Sequence, residues 1–139
     1  MPELRQWISW RDPVARIRKN WRDWRGLPTV FEHAKVIESM LSTDPAGHAD
    51  YPCVIPNWDN TPRSGNRGLV LNGSSPELFR GHLRRAIELV SANEPQRRIV
   101  FIKSWNEWAE GNYLEPDQQF GRGYLEAVKS AIADFERSN

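Results

Sequence analysis

The run Ile99-Val100-Phe101-Ile102 is apolar without alternation, which suits a β-strand covered on both faces, as in a parallel sheet. A strand of that kind narrows the fold more than any other stretch, because it needs helices against it. The flanking sequence supplies them. Ser75-Pro76-Glu77 opens a helix, with Ser75 as cap and Pro76 pre-set for the first turn. Leu78, Phe79, Leu83, Ala86, Ile87 and Val90 form its apolar stripe, and Asn93-Glu94-Pro95 stops it. A last helix starts near Gly121 and turns Tyr124, Leu125, Val128, Ile132 and Phe135 inward. Upstream, Tyr51-Pro52-Cys53-Val54-Ile55-Pro56 reads as a second strand, and a polar, turn-rich loop runs from Asn57 to Gly73. A helix is expected from Val30 to Leu41, with Val30, Ala34, Ile37 and Leu41 on one face, until Thr43-Asp44-Pro45-Ala46-Gly47 breaks it. The order is α/β, with strands about fifty residues apart and a long loop after each, as βα units with active-site loops have.

Residues 1–27 stand apart. They carry Arg5, Arg11, Arg16, Arg18, Lys19, Arg22 and Arg25 against Glu3, Asp12 and Asp23, or seven minus three, +4. Asp12-Pro13 resembles a helix start, and Val14, Ile17, Trp21 and Trp24 recur at helical spacing, so a basic, Trp-rich surface helix is expected. Residues 28–139 then form the βα units. Over the whole chain 19 basic residues nearly cancel 18 acidic ones, which gives no reason to expect nucleic acid or an anionic membrane as partner. No apolar run approaches membrane-spanning length. The Met1-Pro2-Glu3-Leu4-Arg5 start lacks the pattern of a signal peptide, so a cytoplasmic location is the expectation. Cys53, the one cysteine, reads as a small buried hydrophobe. Without Cys and His at zinc spacing, neither a metal nor a cofactor is expected. His33, His48 and His82 have no partner spacing that favours a ligand or base over a solvated side chain.

The chemistry gathers after the buried strand. Glu107 and Glu110 stand three apart with Trp105 and Trp108 interleaved. Glycosyl chemistry needs such a pair: one carboxyl gives a proton to the leaving oxygen, and another supports the electron-poor sugar carbon or its nucleophile. Indole walls would raise one carboxyl's pKa by desolvation and offer a face on which a sugar stacks. Seven Trp in 139 residues is a high count, although any single Trp is more often core than platform. On spacing alone, ordinary acids in a solvated loop fit as well. Asp59, Asn60 and Arg63 follow the other strand and are candidate sugar-hydroxyl or phosphate binders, with Trp58 as a stacking ring. Arg63 suits a bidentate anion such as a nucleotide-sugar phosphate or a uronate, and suits equally a bond to loop carbonyls or to Asp59. Asn106 joins the binding set, and Glu115 is read as binding or structural.

The wording of the segment goes further. Phe101-Ile102-Lys103-Ser104-Trp105-Asn106-Glu107-Trp108-Ala109-Glu110-Gly111-Asn112-Tyr113-Leu114-Glu115-Pro116-Asp117 resembles the motif of the WbsX-type glycosyltransferases. That family is similar in turn to the family ninety-nine glycoside hydrolases, (β/α)8 barrels acting on α-mannosides. The resemblance extends back through Pro56-Asn57-Trp58-Asp59-Asn60-Thr61-Pro62-Arg63 and Gly73-Ser74-Ser75-Pro76-Glu77-Leu78-Phe79, and forward through Gly121-Arg122-Gly123-Tyr124-Leu125. It covers residues from about 28 to 137, far more than a lone short motif. It implies that Glu110 is the general acid/base at the glycosidic oxygen and that Glu107 assists the sugar's own 2-hydroxyl as internal nucleophile. The implied substrate is a glycan or sugar nucleotide in bacterial surface polysaccharide (O-antigen or lipopolysaccharide) metabolism.

A complete barrel of this kind needs about 250 residues. The chain therefore resembles the C-terminal portion of a (β/α)8 TIM-type barrel, incomplete in itself, with a second chain as a candidate to complete it. The alternative to an enzyme fragment is a non-catalytic remnant or a carbohydrate-binding module.

Overall fold

The computed structural model describes residues 17, 21–22, 24–40 and 51–138. The expected helix start at Asp12-Pro13, the residues Val14, Leu41 and His48, and the break at 43–47 lie outside them. Ile17, Trp21, Arg22, Trp24 and Arg25 have helical backbone, and Gly26 turns the chain with a positive φ of 64°.

The architecture is mixed α/β with small sheets. Strand β1 (Thr29–Glu32) leads into helix α1 (His33–Met40). Strand β2 (Cys53–Val54) is followed by the short helix α2 (Thr61–Ser64), strand β3 (Leu69–Asn72) and the long helix α3 (Pro76–Ser91). Strand β4 (Phe101–Ile102) precedes the antiparallel pair β5 (Asn106–Glu107) and β6 (Asn112–Tyr113), and helix α4 (Gly123–Ser138) ends the fold. β1 pairs with β3 in parallel, Thr29 opposite Leu69. β2 pairs with β4 in parallel, Cys53 opposite Phe101 and Val54 opposite Ile102. The parallel relation expected of the two strands found by sequence is thus present.

Two expected elements are redrawn. Val30 does not begin a helix: it lies on β1, and α1 starts at His33. Thr29-Val30-Phe31 is β-branched and aromatic, and pairing with β3 outweighs the helical spacing of the apolar residues. That partner, Leu69-Val70-Leu71-Asn72, falls in what reads as a polar loop, because glycines and arginines dominate the residues around it.

Helices α3 and α4 pack on each other around Val54, Phe79, Leu83, Ala86, Leu114, Tyr124, Ala127 and Ala131, with Ile102 and Val100 against the cluster. Ser75 caps α3 as expected, its Oγ accepting the Leu78 N–H at 3.2 Å. A second cluster joins Ile55, Trp58 and Leu71 to Phe31, Val36, Met40 and Leu69. Ile132 is not turned inward but is exposed, because Ala127 and Ala131 set the line of close approach to α3. Nor is the 99–102 run covered on both faces. Ile99 and Phe101 are 41% and 56% accessible, and the Phe101 and Tyr51 rings meet edge to face, centroids 6.3 Å apart. Cys53, beside it in the pairing, is exposed rather than buried.

His33 and His82, expected on the surface, are buried. His33 Nδ1 lies 2.9 Å from Ser74 Oγ, whose hydroxyl also lies 3.0 Å from the Leu71 carbonyl. Burial holds both imidazoles down, to about 4 each, and His33 and Arg85 add to the effect on His82. The apolar lining of α1 and α3 could not reveal this, since either His also fits a solvated helix face.

Candidate functional site

Two loops meet at the carboxyl ends of β2 and β4. The first, after β2, begins with Asn57, Trp58 and Asp59. Trp58 is buried, 8% accessible, and its backbone joins β3 through the Leu71 N–H to Trp58 carbonyl bond of 2.8 Å. Asp59 Oδ1 accepts the Thr61 N–H at 2.9 Å and the Thr61 hydroxyl at 2.6 Å, which closes the turn ahead of α2. Asn60 Oδ1 accepts the Leu69 N–H at 2.6 Å. These two side chains therefore shape the loop's own backbone.

The second loop runs from Lys103 through β5, a 3-10 turn at Trp108–Glu110 and β6. Gly111 closes that turn at φ 52°, and a Cβ there would come within 2.7 Å of the Asp59 carbonyl oxygen. Only glycine fits both the left-handed backbone and the close approach. The approach permits the Asp59 N–H to donate to the Glu110 carbonyl at 2.9 Å, which ties one loop to the other. A second tie runs through asparagine. Asn112 is fully buried; its Nδ2 donates to the Asn57 carbonyl at 2.5 Å, and Asn57 Oδ1 accepts the Tyr113 N–H at 3.0 Å. Ser104 Oγ reaches the Asn112 carbonyl at 2.7 Å and accepts the Glu107 N–H at 3.3 Å. The Lys103–Ser104 peptide is cis.

Glu110 sits where the loops cross. Its Oε1 is 3.3 Å from Arg63 NH1 and its Oε2 is 3.2 Å from Lys103 Nζ, with the side chain 20% accessible. The surroundings expected from sequence were indole walls, yet Trp105 and Trp108 are 53% and 47% accessible, and cations face the carboxylate instead. Among the described residues the Arg63 guanidinium bonds the Glu110 carboxylate rather than a loop carbonyl or Asp59. Lys103 Nζ also lies 5.1 Å from the Trp58 ring centroid.

Glu107, on β5, pairs with Asn112 on β6 and is half-buried, while Asn106 beside it is exposed. Trp105 contributes its carbonyl, which accepts the Leu114 N–H at 2.9 Å and the Glu115 N–H at 3.2 Å. Trp108 stacks on Tyr113, centroids 3.8 Å apart, and donates its indole N–H to Glu115 Oε2 at 2.7 Å. Glu115 thus orients Trp108. Beyond this pair an open groove of about 640 Å³ is lined by Trp108, Tyr113, Pro116, Asp117, Gln118 and Gln119. Burial, then the neighbouring Asp117 carboxylate, pushes the Tyr113 phenol up.

The structure thus brings Asp59, Arg63 and Glu110 together and adds four residues that sequence reasoning missed: Asn57, Lys103, Asn112 and Tyr113. Each stands inside the motif segments, but only the fold shows that Asn57 and Asn112 bond across 55 positions. Among the described residues no group of His, Cys, Asp and Glu could hold a metal ion, and no helix is long and apolar enough to cross a membrane.

A family model described as "Glycosyltransferase WbsX" matches residues 6–128. Two curated relatives, from Xanthomonas campestris pv. campestris strains B100 and ATCC 33913, both carry the name "Uncharacterized protein WxcX". Each is 39% identical over 111 residues, or 79% of this chain and 15% of the relative. The chain therefore spans about 15% of the length of the curated relatives it matches. No solved structure matches it.

Proposed function

The chain belongs to the WbsX glycosyltransferase family, whose model spans most of it, and from that membership we propose that it supplies the acid–base carboxylates of a polysaccharide enzyme. The enzyme would act in the cytoplasm on a glycan or sugar nucleotide of bacterial surface polysaccharide, O-antigen or lipopolysaccharide. One observation supports the reading above the rest: Glu110 stands at the crossing of the loops after β2 and β4, its backbone bonded to Asp59 and its carboxylate to Arg63 and Lys103. Loops at the carboxyl ends of parallel strands are where α/β folds place their chemistry.

In the proposed reaction the bond from the anomeric carbon to the glycosidic oxygen breaks as Glu110 gives that oxygen a proton, while Glu107 takes the proton of the sugar's 2-hydroxyl, whose oxygen bonds to the anomeric carbon. The incoming hydroxyl then attacks the anomeric carbon and gives its proton to the Glu110 carboxylate, while the bond to the 2-oxygen breaks and that oxygen regains its proton from Glu107. In transfer that hydroxyl belongs to an acceptor sugar; in hydrolysis it belongs to water. Trp108, held by Glu115 and Tyr113, offers its outer face to a sugar ring, and Asn106 and Trp105 flank it.

Glu110→Gln tests the assignment in the intact polypeptide that carries this segment. Turnover of surface polysaccharide should fall by about 10²–10⁴-fold, while retention in affinity electrophoresis through that polysaccharide stays unchanged. Trp108→Ala should show the converse, weak retention with chemistry preserved at saturation. Unchanged turnover in Glu110→Gln removes the catalytic role and leaves the second reading, a carbohydrate-binding module, which the half-exposed rings of Trp105 and Trp108 favour.

We also place the fold as the C-terminal portion of a (β/α)8 barrel, with residues 28–139 as its βα units and 1–27 as a separate basic segment. Among the described residues each sheet has two strands, and Val30, Tyr51, Ile99 and Phe101 are exposed around them. Open edges and apolar surface of this kind drive pairing, so the 139-residue chain alone should elute from size exclusion above monomer mass. A monomer with a sharp melt would show a self-sufficient domain.

A further inference from the structure

We propose that Lys103 is the positioning residue that fixes the Glu110 carboxylate, with Arg63 an outer and replaceable partner. Its catalytic meaning rests on the acid–base reading of Glu110; the restraint itself does not. Lys103 directly follows β4, and its N–H donates to the Val54 carbonyl at 3.0 Å, so the parallel ladder sets where its side chain starts. Its ammonium lies 5.1 Å from the centroid of Trp58, a buried ring anchored by its own backbone to β3. The ammonium ends 3.2 Å from Glu110 Oε2. The backbone is therefore held by one contact and the ammonium by two, the carboxylate and the indole ring.

Arg63 differs on each count. It sits on the short helix α2, its side chain is 63% accessible against 34% for Lys103, and it meets only the other carboxylate oxygen, at 3.3 Å. A long, water-exposed side chain loses rotamer freedom to hold such a pair, and screening weakens what it gains. The Glu110 carbonyl is already tied to Asp59, so the freedom left at this residue is in its side-chain torsions. Lys103 removes that freedom.

Three-bond carbon couplings along the Glu110 side chain, read by NMR in the ¹³C-labelled chain, distinguish one rotamer from an average. Wild type and Arg63→Met should show one rotamer. Lys103→Met, which keeps an unbranched side chain and removes the charge, should show averaging, and Lys103→Arg should restore the single rotamer. A Lys103→Met spectrum with wild-type couplings overturns the proposal, as does equal averaging in Arg63→Met. Should Lys103→Met fail to fold, the wild-type Lys103 ammonium decides: bonded to Glu110 it exchanges slowly and shows in the ¹⁵N spectrum, and a fast-exchanging, invisible ammonium overturns the proposal. In the active polypeptide Lys103→Met should lower kcat about tenfold or more with KM little changed. If the couplings behave as expected while Glu110→Gln keeps its turnover, the restraint stands and the catalytic reading fails.

Discussion

The α3–α4 layer and the loop of residues 103–119 lie against each other and are held by different forces. In the helical layer Phe79, Leu83, Ala86, Tyr124, Ala127 and Ala131 are buried, and the Phe79, Phe120 and Tyr124 rings meet edge to face at 5.6–5.8 Å. Its strength is apolar area removed from water, which tolerates small shifts because it has no direction. In the loop only Asn112 and Leu114 are buried. Leu114 anchors it in the helical core, Trp108 stacks on Tyr113, and directed bonds do the rest: Asn112 to Asn57, Asp59 to the Glu110 carbonyl, and the Lys103–Glu110–Arg63 bridge. A loop built this way keeps its polar groups near water. It is correspondingly more sensitive to geometry than to volume.

Acid should strain this contrast most. His33 on α1 and His82 on α3 are buried, neutral and held to about 4. Their ordinary value is 6.5, so the unfolded chain binds protons first. Stability is full above pH 6.5, falls as the pH drops, and levels near 4, with a total loss on the order of 5 kcal/mol for the pair. Denaturant melts from pH 7.5 to 4 should show that slope, and His82→Leu should remove about half of it. A flat profile would mean that the imidazoles are not buried together.

Phe79→Ala strikes the helical layer alone. Its ring has no accessible surface, so a loss of about 3–5 kcal/mol is expected by chemical denaturation. Gly111→Ala strikes the loops and spares the helical layer, at a cost of about 1–3 kcal/mol for a strained left-handed residue, and it pushes Asp59 off the Glu110 backbone. Its melting point should fall less than that of Phe79→Ala, whereas the amide shifts of Asp59 and Glu110 should move more. The reverse pattern would erase the distinction between an apolar layer and a bonded loop.

The long helices and the parallel relation of β2 and β4 were open to sequence reading, because apolar spacing and caps act within a few residues of chain. The family could be read as well, from the Trp-Asn-Glu-Trp-x-Glu-Gly wording and its flanks, and its model indeed matches residues 6–128. β1 and β3 were hidden, since a four-residue strand becomes a strand only by pairing, and its partner lies some forty positions away, beyond any local pattern. The exposed side of Phe101 and the buried rings of His33 and His82 were hidden for the same reason: which face is covered depends on what packs there. So was the role of Lys103. Sequence alone determined that two carboxylates follow a strand end; the tertiary structure decided that one of them meets two cations, because those charges come from separate loops and converge only when β2 and β4 pair.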